Sequence, residues 1–126
     1  MSQREPKPIP EASFPRYGDI YETDLDPVIG AETGKRRPAL VVSNDISNEY
    51  SQTVTVLPIT GQPAMKQYPF EVLIPRGVAG LTADSRIKVN QIRTVDKSRL
   101  VSLRGSLPSQ YLPKVEKALQ IHLNMK

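Results

Sequence analysis

The chain contains no cysteine, which excludes a disulfide framework, a thiol nucleophile and a thiolate-ligated metal together. Its one histidine, His122, lies close to the C-terminus, and a single imidazole cannot build a two-histidine acid/base pair or a histidine-rich metal site within one subunit. Any catalysis must come from carboxylates, hydroxyls or basic groups, and no metal or cofactor is expected. No apolar run approaches the roughly 18 residues that a membrane-crossing helix requires, and the polar, proline-rich start lacks the apolar stretch of a signal peptide. A cytoplasmic protein without membrane contact is expected. Tryptophan is absent and aromatics make up 6% of the chain, so platforms for stacking unpaired bases are few. Tyr50 and Tyr68 flank turns and suit that role, whereas Tyr17 and Tyr21 suit the core.

With 126 residues, 38% of them hydrophobic, the chain has enough material for one domain around one core. The net charge of +4 hides an uneven distribution: residues 1–34 hold three basic and seven acidic side chains, residues 64–107 eight basic and three acidic. A solvated mixed surface and a polyanion-binding face both account for such runs. The first 15 residues carry four of the twelve prolines and little apolar content; they read as a flexible arm preceding a domain over 16–126.

Residues 17–25 alternate apolar and polar side chains at the period of a half-buried strand. Pro38 to Ser43 is a short apolar strand, followed by turn chemistry at Asn44-Asp45 and Ser47-Asn48. Residues 53–60 are rich in β-branched side chains, with Pro58 marking an edge or bulge. Phe70 to Pro75 alternates again, Gly77 to Gly80 turns, and one long strand is expected from Ser85 to Val95, with a short one near Leu100 to Leu103. At the end the period becomes helical, with Leu112, Val115, Ala118, Leu119 and Leu123 on one face and Ser106 or Ser109 as caps. Six or seven short strands and a terminal helix imply a mostly-β fold, a small barrel with a helix packed on it.

Arg36-Arg37-Pro38 delivers a pair of guanidinium groups directly into a strand, where Pro38 biases Arg37 toward extended dihedrals. Upstream, Asp26 to Gly34 carries a proline and two glycines and reads as a mobile loop. A fixed arginine beside such a loop suggests an anion site under a lid.

Tyr17-Gly18-Asp19-Ile20-Tyr21, the loop Asp24 to Gly34, Arg37 to Asp45, Ile59-Thr60 and Gln91 to Lys97 together resemble the MazF/PemK family of toxin endoribonucleases, in order along residues 16–125. The resemblance implies an SH3-like barrel, a homodimer, and selective cleavage of single-stranded RNA to 2′,3′-cyclic phosphate and 5′-hydroxyl ends. It also implies a cognate antitoxin with an acidic, disordered tail. Carried over residue by residue, it places Arg37 and Thr60 at the catalytic centre. The arm over 1–15 lies outside it.

The chemistry fits those residue types. The 2′-hydroxyl is an internal nucleophile, and a planar guanidinium can hold two phosphate oxygens as charge develops. A guanidinium is a poor base, so a loop carboxylate, Glu32, is the candidate to accept the 2′-hydroxyl proton. Arg86 and Lys88 are expected phosphate contacts on a polar strand face, and Arg36 doubles the charge beside the site. Gln91 could read a base or be buried with internal hydrogen bonds; Ser43 and Asn44 could orient RNA or simply form a turn. Two other functions keep the fold. A gyrase poison like the CcdB family acts through a C-terminal Trp-Gly tail, whereas this chain ends His122-Leu123-Asn124-Met125-Lys126. A non-catalytic SH3-like module would bind RNA or peptide without cutting.

Overall fold

The computed structural model describes residues 13–61 and 68–126. Most of the expected N-terminal arm lies outside them. Seven strands form one antiparallel sheet: β1 (Asp19–Asp24), β2 (Arg36–Val41), β3 (Thr53–Thr60), β4 (Glu71–Ile74), β5 (Ser85–Lys88), β6 (Arg93–Asp96) and β7 (Leu100–Ser106). The order is β4-β5-β3-β2-β1-β7, with β6 also paired to β3. No pairing joins β4 to β7 among the described residues, so the sheet is open where the sequence suggested a closed barrel.

Alternation along the strands divides the core. Ile20, Leu40 and Leu57 stand in register across β1, β2 and β3 and pack with Val115 and Ala118 of the C-terminal helix. Their neighbours Tyr21, Ala39, Val41 and Val56 join Val54, Val95, Leu100 and Leu103 in a second cluster. The central strands are therefore apolar on both faces, which is why residues 39–41 read as a continuous run. Each fully buried aliphatic side chain contributes about 1.5–3 kcal/mol.

The expected long strand over 85–95 is broken. Val56 pairs with Arg93 and Ile59 with Ile87, so Leu57 and Pro58 face all of residues 88–92. The surplus chain folds into a 3-10 turn, Val89–Gln91, with Val89 fully buried. Pro58 sits opposite this break, so the proline marks an interruption of pairing on a central strand, not an edge.

Two helices complete the fold. The expected turn at 44–48 is a short helix, α1 (Asp45–Tyr50), started by the Asn44 side chain, which accepts from Ser47 N at 2.9 Å. The terminal helix α2 runs Leu112–His122, with a proline in its first turn and no side-chain cap, so neither Ser106 nor Ser109 caps it. Instead a 3-10 turn at Ser109–Tyr111 leads in. Tyr17 ties α2 to the sheet by donating to Glu116 Oε2 at 2.5 Å; partial burial, then that bond and charge, push the phenol up to about 12. Among the described residues no helix is long and apolar enough to cross a membrane.

Candidate active site

The register between β2 and β3 builds the site. Ala39 pairs with Pro58 and Leu40 with Leu57; continuing that antiparallel register brings Arg37, at the start of β2, across from Thr60, at the end of β3. The loop 25–35 closes over this end of the sheet. Together they line a pocket of about 420 Å³ that includes Asp26, Glu32, Lys35, Arg37, Thr60 and Lys88. A second cleft of about 410 Å³, at Arg76 and Asp84, contains none of the expected site residues.

Arg37 is fixed at its inner end, where Nε donates to Gly34 O at 2.9 Å. Its two terminal nitrogens have no partner among the described residues, so the fork geometry is set and its outer donors are open. Thr60 is 6% exposed, and its Oγ1 is buried without a hydrogen-bond partner among the described residues. A buried hydroxyl left unpaired costs about 1–3 kcal/mol, and Thr60 lines the same pocket as Arg37. Glu32 is exposed and reaches the pocket with one oxygen engaged, Oε1 accepting from Ile29 N at 2.8 Å. Lys88 closes β5 on the opposite wall.

The loop is more firmly built than a free lid. Leu25 N donates to Lys35 O at 2.9 Å and Thr33 N to Gln91 Oε1 at 3.2 Å. From the β6 side, Arg93 Nη1 donates to Leu25 O at 3.0 Å, and Arg99 Nη1 reaches the carbonyls of Asp24, at 3.2 Å, and Asp26. Gly34 is required by close approach, since a Cβ there would stand 2.5 Å from Asp26 Oδ1 and 2.7 Å from Val28 Cγ2. Gln91 thus serves the loop with the atom that would read a base.

Other expected site residues lie elsewhere. Arg86 is in a largely buried ion pair with Glu71 at 3.0 Å, so its charge is already matched within the fold. Ser43 Oγ accepts from Thr55 N at 3.0 Å and donates to Asn48, and Asn44 caps α1, so both perform the turn work that their residue types also allow. Arg36 is exposed on β2 opposite Asp24, outside the pocket lining. Sequence reasoning missed Lys35 and Asp26, although the only available sign was a lysine beside the arginine pair and an Asp-Pro step. Tyr50 is 79% exposed at the end of α1, and Tyr68 stacks on Phe70 with ring centroids 5.1 Å apart. His122 is exposed in the last turn of α2. No group of three or more histidine, aspartate or glutamate side chains is placed to hold a metal ion among the described residues.

Comparison with known proteins finds relatives of both the sequence and the fold. Endoribonuclease EndoA of Bacillus subtilis (strain 168) is 44% identical over 108 residues, covering 86% of this chain and 93% of that protein. A crystal structure of MazF from Deinococcus radiodurans superposes with a TM-score of 0.76 at 30% identity, covering 90% of this chain and 99% of the other. A MazE-MazF structure from the same organism gives a TM-score of 0.70 at 26% identity over 90% and 99%. Residues 16–123 match the family described as PemK-like, MazF-like toxin of type II toxin-antitoxin system, and with relatives this similar over most of their length the chain belongs to that family.

Proposed function

We propose that this protein is a toxin endoribonuclease that cuts single-stranded RNA at a short sequence, with Arg37 and Thr60 binding the scissile phosphate. One observation carries the assignment of the site: Thr60, whose buried hydroxyl has no partner among the described residues, lines the same pocket as Arg37, whose outer donors are likewise unpaired among them. Family membership and the relatives' names favour an endoribonuclease over a gyrase poison or a non-catalytic module.

The pocket suits internal transesterification. The 2′-oxygen attacks phosphorus as Glu32, or a water held by it, takes its proton. Arg37 stabilises the added charge on the phosphorane, and the 5′-oxygen departs with a proton from solvent at the open side. The products are a 2′,3′-cyclic phosphate and a 5′-hydroxyl, and no step requires a metal. Lys88 and Lys35 add positive charge for neighbouring phosphates. Incubating the purified protein with a long single-stranded RNA in EDTA, then sequencing fragment ends, is expected to give cuts at one short motif. Cutting only with added divalent cation would refute the metal-free route.

Glu32→Gln separates base from positioning group. The amide can still accept from Ile29 N but is a far weaker base, so the expected result is a rate loss of about 10²-fold or more with RNA affinity nearly unchanged. Equal losses in rate and affinity would assign Glu32 to substrate positioning instead.

The assembly belongs to the same reading. A homodimer would place two pockets along one longer RNA-binding surface, and sedimentation of the purified chain at the mass of a monomer would oppose it. An acidic, disordered antitoxin segment in the cytoplasm would complement the cations around the pocket, in keeping with the toxin-antitoxin family.

A further inference from the structure

One peptide unit connects the loop to the proposed phosphate-binding arginine. The carbonyl of Gly34 accepts from Arg37 Nε at 2.9 Å, and the N–H of Lys35, on the other side of the same peptide, donates to Asp26 Oδ1 at 2.8 Å. In a planar trans peptide these two groups point in opposite directions and turn together. Whatever holds the N–H therefore aims the carbonyl, and the carbonyl aims Arg37.

Local backbone preference works against this arrangement. Lys35 has a φ of 66°, in the left-handed region that a residue with a side chain disfavours. Turning the Gly34–Lys35 peptide by half a revolution would return Lys35 to negative φ and swing the Gly34 carbonyl away from Arg37. Gly34, having no side chain, places little steric limit on that rotation. The far side of Lys35 is fixed, since its carbonyl accepts from Leu25 N at 2.9 Å. The orientation that serves Arg37 thus depends on the Asp26 carboxylate, which is itself held through its main-chain carbonyl by Arg99.

We infer that Asp26 is a positioning residue for RNA cleavage, acting through the Gly34–Lys35 peptide to keep the Arg37 guanidinium aimed into the pocket. The inference rests on the assignment of Arg37 to the scissile phosphate. It separates Asp26 from the other pocket carboxylate, Glu32: Asp26 needs an acceptor oxygen but no negative charge and no capacity to take a proton.

Single-turnover cleavage and equilibrium binding, measured on a short single-stranded RNA carrying the mapped motif, test this with Asp26→Ala, Asp26→Asn and Arg37→Ala. Asp26→Ala is expected to lower the cleavage rate constant by about 10- to 100-fold while RNA affinity changes by less than about 3-fold. Asp26→Asn keeps an oxygen that accepts from Lys35 N–H, and its rate is expected to stay within about 3-fold of wild type. Equal losses for alanine and asparagine would overturn the positioning role and assign the effect to the charge. Full activity of Asp26→Ala beside an inactive Arg37→Ala would overturn this inference alone. An Arg37→Ala protein that cuts like wild type would overturn the reading of the site itself. A Lys35→Gly background supplies a second test, available even where Asp26→Ala alone melts early. Glycine removes the preference for the turned peptide, so adding Asp26→Ala there is expected to cost less than about 3-fold. A tenfold or greater further loss in that background would refute the mechanism.

Discussion

Arg37→Ala will leave a folded protein that no longer cuts RNA. Among the described residues the guanidinium contributes one hydrogen bond, to Gly34 O, and its terminal nitrogens contribute none. Its removal is therefore expected to move the melting temperature little. The effect on cleavage is expected to be large, about 10²- to 10³-fold, because a donor fixed at the point where phosphorane charge develops acts mainly in the transition state. Arg37→Lys should recover little of the loss. A lysine ammonium cannot reproduce the anchored fork, with Nε held at Gly34 and two further nitrogens presented to one phosphate. Rates from a single-turnover assay, set beside melting curves of the same preparations, check both halves of the expectation. Cleavage by Arg37→Ala within about 3-fold of wild type would remove this residue from the transition state.

Thr60→Val is expected to separate stability from activity in opposite directions. The hydroxyl is buried, without a hydrogen-bond partner among the described residues, and replacing it with a methyl group removes an unsatisfied polar atom from the interior. A gain of about 1 kcal/mol is expected, seen as a rise of several degrees in melting temperature. The same substitution deletes the contact proposed for the scissile phosphate, and the cleavage rate should fall by about 10- to 100-fold. Trade-offs of this kind mark atoms kept for a ligand in preference to the fold. A valine variant that is both less stable and fully active would show that the hydroxyl serves the structure.

Residue pattern revealed most of the strands because the central sheet is apolar on both sides or alternates cleanly, as Ile20 and Tyr21 show by entering different clusters. Pattern could not reveal the break at Val89–Gln91. Val89 is apolar and buried in the turn just as it would be in a strand, so burial alone carries no trace of the surplus chain between β5 and β6. For α1, the residues that favour a turn also favour a helix start, and only the pairing of Asn44 with Ser47 N decides between them. Of the two residues proposed for the centre of the site, Arg37 drew notice from its place between a loop and a strand, and Thr60 only through family resemblance, since a threonine on a strand announces no chemistry by itself. Arg86 and Gln91 were less so. Whether a cation or amide on a strand meets solvent or a partner depends on a neighbour distant in sequence, Glu71 in one case and Thr33 in the other.

The anchoring of the loop 25–35 bears on how such an enzyme can change over evolutionary time. Gln91, Arg93 and Arg99 grip the loop by main-chain atoms of Asp24, Leu25, Asp26 and Thr33, which every substitution except proline retains. The outward side chains Ile29, 82% exposed, and Ala31 take no part in those bonds. Selection can therefore vary the tip without displacing the frame beneath it. Substitutions at Ile29 or Ala31 leave untouched the main-chain bonds that hold the loop and the carbonyl behind Arg37.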